Sequence, residues 1–235
     1  MIDVDHPIVI TGASSGIGRA LATELGSRGA WLELQGRDAE RLVQVGREVA
    51  AAGGRATLRV LELTDDGAVD DWVASLQART VAALIHCAGM IRLGTVADTP
   101  VDVLDEHYRV NLRAPYRLTR ALLPALERAR GQVVFVNSGA GLHASAGWSA
   151  YAASKFALRA LADSLRQEVA ARAVRVTTVY PGRTATPMQR EVHRQEGRAY
   201  DPDAFVRPDD VASQIAAVLA LDPPSTVTEL TIRPV

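Results

Sequence analysis

Tyr151 and Lys155 stand four residues apart and form a pair that could move a proton. On a helix that spacing puts both on one face. A phenol has a pKa of about 10, too high for ready proton transfer near neutrality. A fixed cation beside it favours the phenolate and lowers that value. An ammonium is also a compact donor that can hold sugar hydroxyls, unlike the planar fork of a guanidinium. Composition sharpens the point. The 235 residues carry 26 Lys+Arg against 27 Asp+Glu, and Lys155 is the only lysine. In a chain that uses arginine by default, one lysine beside a tyrosine marks a position where arginine chemistry fails. A snorkelling Lys beside an amphipathic Tyr would show the same spacing, so the pair alone is weak.

A second pattern is Thr11-Gly12-Ala13-Ser14-Ser15-Gly16-Ile17-Gly18, directly after a short apolar run. Its spacing is G-x-x-x-G-x-G rather than G-x-G-x-x-G. Glycine permits a tight turn and lets backbone N–H groups and a helix N-terminus approach a pyrophosphate with no β-carbon in the way. A ligand-free turn would use glycine too, but the place between a first strand and a first helix points to a dinucleotide. NAD-preferring folds put an acid at the end of the second strand, on the adenosine ribose. That end reads Leu34-Gln35-Gly36-Arg37-Asp38. Asp38 lies about 20 residues beyond the last turn glycine and is the competing acid. A helical pattern starts behind it, so Asp38 reads as a helix cap.

These groups need a scaffold. Strand-like runs at Pro7–Thr11, Trp31–Gln35, Ala56–Leu63, Val81–Cys87, Gln132–Asn137, Val174–Tyr180 and Val227–Ile232 alternate with helical stretches. The helices are expected over residues 16–29, from Asp38 to about Gly53, 67–77, 101–129, 149–172 and 208–221. The charged segment 187–206 reads as a loop or short helix. Alternation over the whole length implies one domain, 1–235, with a parallel sheet of about seven strands and helices on both faces. Ligands in such folds bind beyond the carboxyl ends of the strands. The near-zero net charge argues against nucleic acid. One cysteine, Cys87, excludes an intrachain disulfide. No apolar run approaches a membrane span, and Met1–His6 carries no secretion pattern, so a cytoplasmic protein with no membrane partner is expected.

Taken in order, these features resemble the short-chain dehydrogenase/reductase family in its shorter, single-domain branch, over essentially the whole chain. The resemblance implies a Rossmann-like doubly wound fold. It makes residues 11–18 the cofactor turn, with Gly12, Ser14, Ser15, Gly16, Ile17 and Gly18 at the dinucleotide. Gly36 takes the place of the family's acid and is followed by Arg37, which resembles the pattern that prefers NADP(H), with NAD(H) second. Leu63, with Glu62 and Thr64-Asp65, falls where the family meets the adenine. Ala88-Gly89 would lie beside the adenosine, and Pro181, Gly182, Thr184 and Thr186 at the nicotinamide end. The family mechanism implies that Tyr151 is the general acid/base. Lys155 would hold the nicotinamide ribose and lower the tyrosine pKa, and Ser138 would orient the substrate oxygen. Asn111, through an irregularity in its helix, would place a water in a relay to Lys155. No metal is implied. One departure stands out: the family's Asn-Asn-Ala-Gly reads His86-Cys87-Ala88-Gly89, which leaves open what holds that turn. Cys87 reads as a small buried thiol.

The activity implied is hydride transfer between nicotinamide and a small-molecule carbonyl or secondary alcohol. A non-catalytic NADP-binding sensor or scaffold on the same fold is the alternative. Met90, Ala140, Leu142, His143, Trp148 and a mobile, solvated lid at 187–206 should line the substrate side. By resemblance, a homodimer or homotetramer is expected.

Overall fold

The computed structural model describes residues 2–77 and 79–235. Seven parallel strands form one sheet in the order β3-β2-β1-β4-β5-β6-β7. They are β1 Ile8–Thr11, β2 Trp31–Gly36, β3 Arg55–Val60, β4 Ala83–His86, β5 Gln132–Val136, β6 Arg175–Pro181 and β7 Glu229–Ile232. The helices between them are α1 Gly16–Ser27, α2 Ala39–Ala51, α3 Asp66–Gln77, α4 Val101–Tyr108, α5 Ala114–Ala129, α6 Ser149–Val169, α7 Pro187–Glu196 and α8 Pro208–Leu219.

The sequence builds both faces through the two-residue period of a strand. Ile8, Ile10, Ile85, Val134 and Val136 point one way, into a core with Leu21, Leu25, Leu42 and Ile215. Val9, Leu84, Val133 and Phe135 point the other way, against Trp72, Leu118, Leu122 and Leu158. Hence α1, α2 and α8 cover one face, and α3, α5 and α6 the other.

Strand order reverses between β1 and β4, which run side by side with Thr11 opposite His86. A ligand crevice opens where connections diverge to opposite faces. The expected helix over 101–129 is three pieces: α4, a π-helical turn at Arg109–Arg113, and α5. The i→i−5 bond from the Ala114 N–H to the Arg109 carbonyl marks the turn, and Pro115 in the first turn of α5 fits there because it needs no donor. Segment 187–206 is better ordered than expected, with α7 and a 3₁₀ turn at Pro202–Ala204.

Candidate active site

The glycine turn sits on the switch point. Gly12 adopts a φ of +66°, and a β-carbon there would lie 2.7 Å from the Ala88 backbone. The loops after β1 and β4 therefore touch, and only glycine fits between them. Gly18 is equally confined, its missing β-carbon falling 2.4 Å from the Gly12 carbonyl oxygen. Ser15 caps α1 without a side-chain bond, and the first turn holds no acid. The first backbone N–H groups of α1 are thus open to an anion. Gln35 braces the turn, which its position in a strand run did not reveal. Its Oε1 accepts the Gly12 N–H at 3.1 Å, and its Nε2 donates to the Leu61 carbonyl at 2.7 Å.

At the far end of this cleft lie Gly36, Arg37, Glu62 and Leu63. A β-carbon on Gly36 would fall 2.9 Å from the Ser14 β-carbon, so Ser14 fills the space an acid would need. Asp38 caps α2, its Oδ1 accepting the Arg41 N–H at 3.0 Å. Arg37 reaches Glu62 at 3.2 Å across the exposed mouth. Asp65 does not join Glu62 and Leu63 on the cleft; its carboxylate accepts the Ala68 N–H at the start of α3.

Thr11 supplies what the altered turn after β4 lacks: its Oγ1 accepts the Ala88 N–H at 3.3 Å. His86 Nε2 lies 2.9 Å from Thr119 Oγ1, and the ring stacks on Phe135. Burial pushes its pKa down to about 3, so it is neutral. The Cys87 thiol lines the cleft and is pushed up to about 12, again by burial.

The end of β5 and α6 bring Ser138, Tyr151 and Lys155 to this cleft, while Asn111 does not line it. Ser138 follows β5 in extended conformation, its Oγ accepting the Ala140 N–H at 3.1 Å. Tyr151 and Lys155, one turn apart on α6, are 5% and 4% exposed. Lys155 Nζ donates to the Val136 carbonyl at 3.2 Å and lies 5.8 Å from the Tyr151 ring centre. Burial pulls Lys155 down to about 8. Burial also raises Tyr151, and a hydrogen bond with Ser138 opposes that rise. The Lys155 ammonium, 5.8 Å from the ring centre and donating to the Val136 carbonyl, is not among the groups that set the tyrosine here. Asn137 ties β5 to α6, donating to the Lys155 carbonyl at 3.1 Å.

Asn111 lies in the π turn and is fully buried. Its Oδ1 accepts the Met90 N–H at 2.9 Å, while Nδ2 donates to the Met90 carbonyl at 3.1 Å and to Ser154 Oγ at 3.0 Å. The amide is therefore committed to the loop after β4 and to Ser154 of α6. A π turn disrupts the i→i−4 ladder and can leave a carbonyl free for water.

The cleft continues past Tyr151 to Ser138, Ala140, His143, Trp148 and the segment after β6. Gly182 donates to the Ile232 carbonyl at 2.7 Å, and Thr184 Oγ1 to the Gly182 carbonyl at 3.0 Å. Thr186 caps α7 and faces the glycine turn, 3.1 Å from where a Gly16 β-carbon would be. Leu142 is not on the cleft: the 3₁₀ turn Gly139–Gly141 presents Ala140 to it and leaves Leu142 aside. Met90 lines the glycine-turn part instead. The α7 segment is not wholly solvated, since Gln189, Val192 and His193 are buried. Arg183 clamps it through two bonds to Glu196, 2.9 and 2.7 Å. Among the described residues no cluster of His, Cys, Asp or Glu could hold a metal, and no helix is long and apolar enough to cross a membrane.

Comparison with known proteins agrees with this fold. The family described as short chain dehydrogenase matches residues 6–197. The chain is 34% identical over 220 residues to 3-ketodihydrosphingosine reductase of Bos taurus, covering 88% of this chain and 66% of that one. It thus spans just under two thirds of that relative's length. A metagenomic short-chain oxidoreductase in complex with NADP superposes with a TM-score of 0.84 at 33% identity, covering 99% of this chain and 98% of the other. An alcohol dehydrogenase from the archaeon Thermococcus sibiricus, complexed with 5-hydroxy-NADP, gives 0.88 at 26%, covering 98% and 97%.

Proposed function

The chain belongs to the short-chain dehydrogenase/reductase family, and on that premise we propose that it is an NADP(H)-dependent oxidoreductase acting on a carbonyl or secondary alcohol. One observation carries this reading: Tyr151 and Lys155 line the same cleft as the glycine turn, and Ser138 borders Tyr151. The residues present fit a dinucleotide. Gly12 lets the loops after β1 and β4 close on each other beneath the turn, and the open N-terminus of α1 suits a pyrophosphate. Arg37 and the space closed by Ser14 at Gly36 favour the 2′-phosphate form, with NAD(H) the weaker ligand. Bound NADP(H) supplies or accepts the hydride.

The protein's own groups do the rest. Tyr151 stays protonated at neutrality, because burial raises its pKa, and so it is ready to donate to a carbonyl oxygen. Ser138, hydrogen-bonded to that phenol, holds the same oxygen in line. Lys155 is mostly cationic near neutrality with a pKa of about 8, and it offers its remaining protons to ribose hydroxyls. The π turn around Asn111 offers a backbone carbonyl for a water behind the lysine. Proton transfer by a placed side chain is worth roughly 10²–10⁴-fold. We also read the exposed Tyr116 of α5 and Phe156 of α6 as part of a homo-oligomer contact, which sedimentation would test.

A carbonyl panel with NADPH, followed by loss of reduced nicotinamide, tests the activity. Turnover should fall at least 10²-fold in Tyr151→Phe. Lys155→Arg should cost far more than Arg47→Lys on the surface. A Tyr151→Phe protein that keeps most of its rate refutes the mechanism. Binding of NADPH without turnover across the panel would make the protein a sensor or scaffold.

A further inference from the structure

The part of the cleft beyond Tyr151 is cationic. Its walls carry Arg183, Arg198 and Arg233, and Glu196 is the only carboxylate among the described residues there. That one acid is already used. Arg183 holds both its oxygens, and Arg198 sits 4.0 Å from one of them. Two positive charges are left in excess.

Arg233 differs from the other two. It follows β7, and the bond from the Gly182 N–H to the Ile232 carbonyl pins its backbone against the end of β6. Its guanidinium crosses to the end of β5, where a β-carbon on Gly139 would lie 3.4 Å from Nη1. Among the described residues no acid pairs with it. Gly139 is the residue after Ser138, and Arg233 and Ser138, whose hydroxyl would orient a carbonyl oxygen, line the same part of the cleft. Nor is it placed for the cofactor's phosphates. Those belong to the glycine turn and Arg37, and Arg233 does not line that part of the cleft.

We propose that Arg233 is the recognition group for an anionic substituent, and that the substrate is a carbonyl compound bearing a carboxylate or phosphate close to the reacting carbon. A planar guanidinium matches either anion with two parallel bonds. The missing side chain at Gly139 leaves the fork unobstructed between Ser138 and solvent. Glu196 is shared by Arg183 and Arg198, which leaves Arg233 as the guanidinium of this wall without an acid partner among the described residues. This inference rests on the carbonyl-reductase reading and adds the substrate class to it.

The experiment compares keto acids with their methyl esters, over an increasing number of carbons between carbonyl and carboxylate, plus keto phosphates with their neutral alcohols. The anionic member of the best pair should exceed its neutral partner in kcat/KM by about tenfold or more. Arg233→Gln should bring that ratio toward one, and Arg233→Lys should restore part of it. Arg47→Gln, the same charge change on α2, should leave the ratio alone. Taking a ratio within each variant separates recognition from general damage. Calorimetry of the keto acid against the protein loaded with oxidised NADP, which cannot reduce it, should show the same loss in Arg233→Gln. Esters reduced as well as acids, or a ratio that survives Arg233→Gln, overturns the proposal and leaves the reductase reading standing. Turnover of neither class overturns both.

Discussion

Lys155 should make the fold less stable, and removing its charge should show how much. The side chain is 4% exposed. Burial lowers its pKa from 10.5 to about 8. Each tenfold change in proton affinity is worth about 1.4 kcal/mol, so holding the ammonium inside costs the folded state ~3 kcal/mol. Lys155→Met keeps much of the volume and removes the charge. It also leaves the Val136 carbonyl without the ammonium that donates to it, which returns about 1 kcal/mol. A net gain of about 2 kcal/mol is expected at pH 7, or roughly 4–8 °C for a chain of this size. The sign with pH follows from proton counting. Between about 8 and 10.5 the unfolded lysine holds its proton and the folded one releases it. The unmodified protein therefore gains stability across that window, and the advantage of Lys155→Met disappears by its upper end. Denaturant unfolding of both cofactor-free proteins at pH 7, 8.5 and 10 measures this. The variant should be more stable at pH 7 and inactive at every pH. A variant less stable at pH 7, or a gap that stays constant to pH 10, would show that the buried ammonium carries no such cost.

Three further outcomes follow from the same geometry. The rate of carbonyl reduction should fall above pH ~8 as Lys155 loses its charge, while Tyr151, raised by burial, remains protonated; a profile flat to pH 10 would remove the lysine from the mechanism. Gly36→Asp should weaken both NADPH and NADH in calorimetry rather than exchange them, because the new β-carbon meets Ser14 at 2.9 Å; a clean switch to NADH would mean that Ser14 yields freely. Gln35→Leu should destabilise the fold by about 1–3 kcal/mol through the orphaned Gly12 N–H, and should raise the Kd for cofactor; an unchanged Kd would mean that the glycine turn holds its shape alone.

Local patterns carried much of this into the sequence. The parity of Ile8, Val9 and Ile10 records which face each residue covers, and the four-residue step from Tyr151 to Lys155 survives into α6. What stayed hidden depends on pairing between distant segments. Nothing near Gln35 signals Gly12 and Leu61, which meet it only once β1, β2 and β3 align. Arg233 reaches Gly139 only because β7 joins β6 and β6 joins β5. Asn111 could be placed in a helix, yet its partner Met90 lies in a loop with no periodicity to announce it. The burial of Lys155 is a tertiary property too, and no local pattern announces that it pulls the lysine down to about 8.

The lone thiol has a practical side. With a pKa of about 12, Cys87 is ionised to on the order of 10⁻⁵ at neutrality, and the thiolate is the form that alkylating agents and peroxide attack. The wall of the proposed cofactor cleft thus carries sulfur that is nearly inert to the reagents most often used to probe it. With no second cysteine in the chain, reaction with such a reagent has one address. It becomes a clock for changes at this stretch of the cleft wall, and reads them without an engineered label.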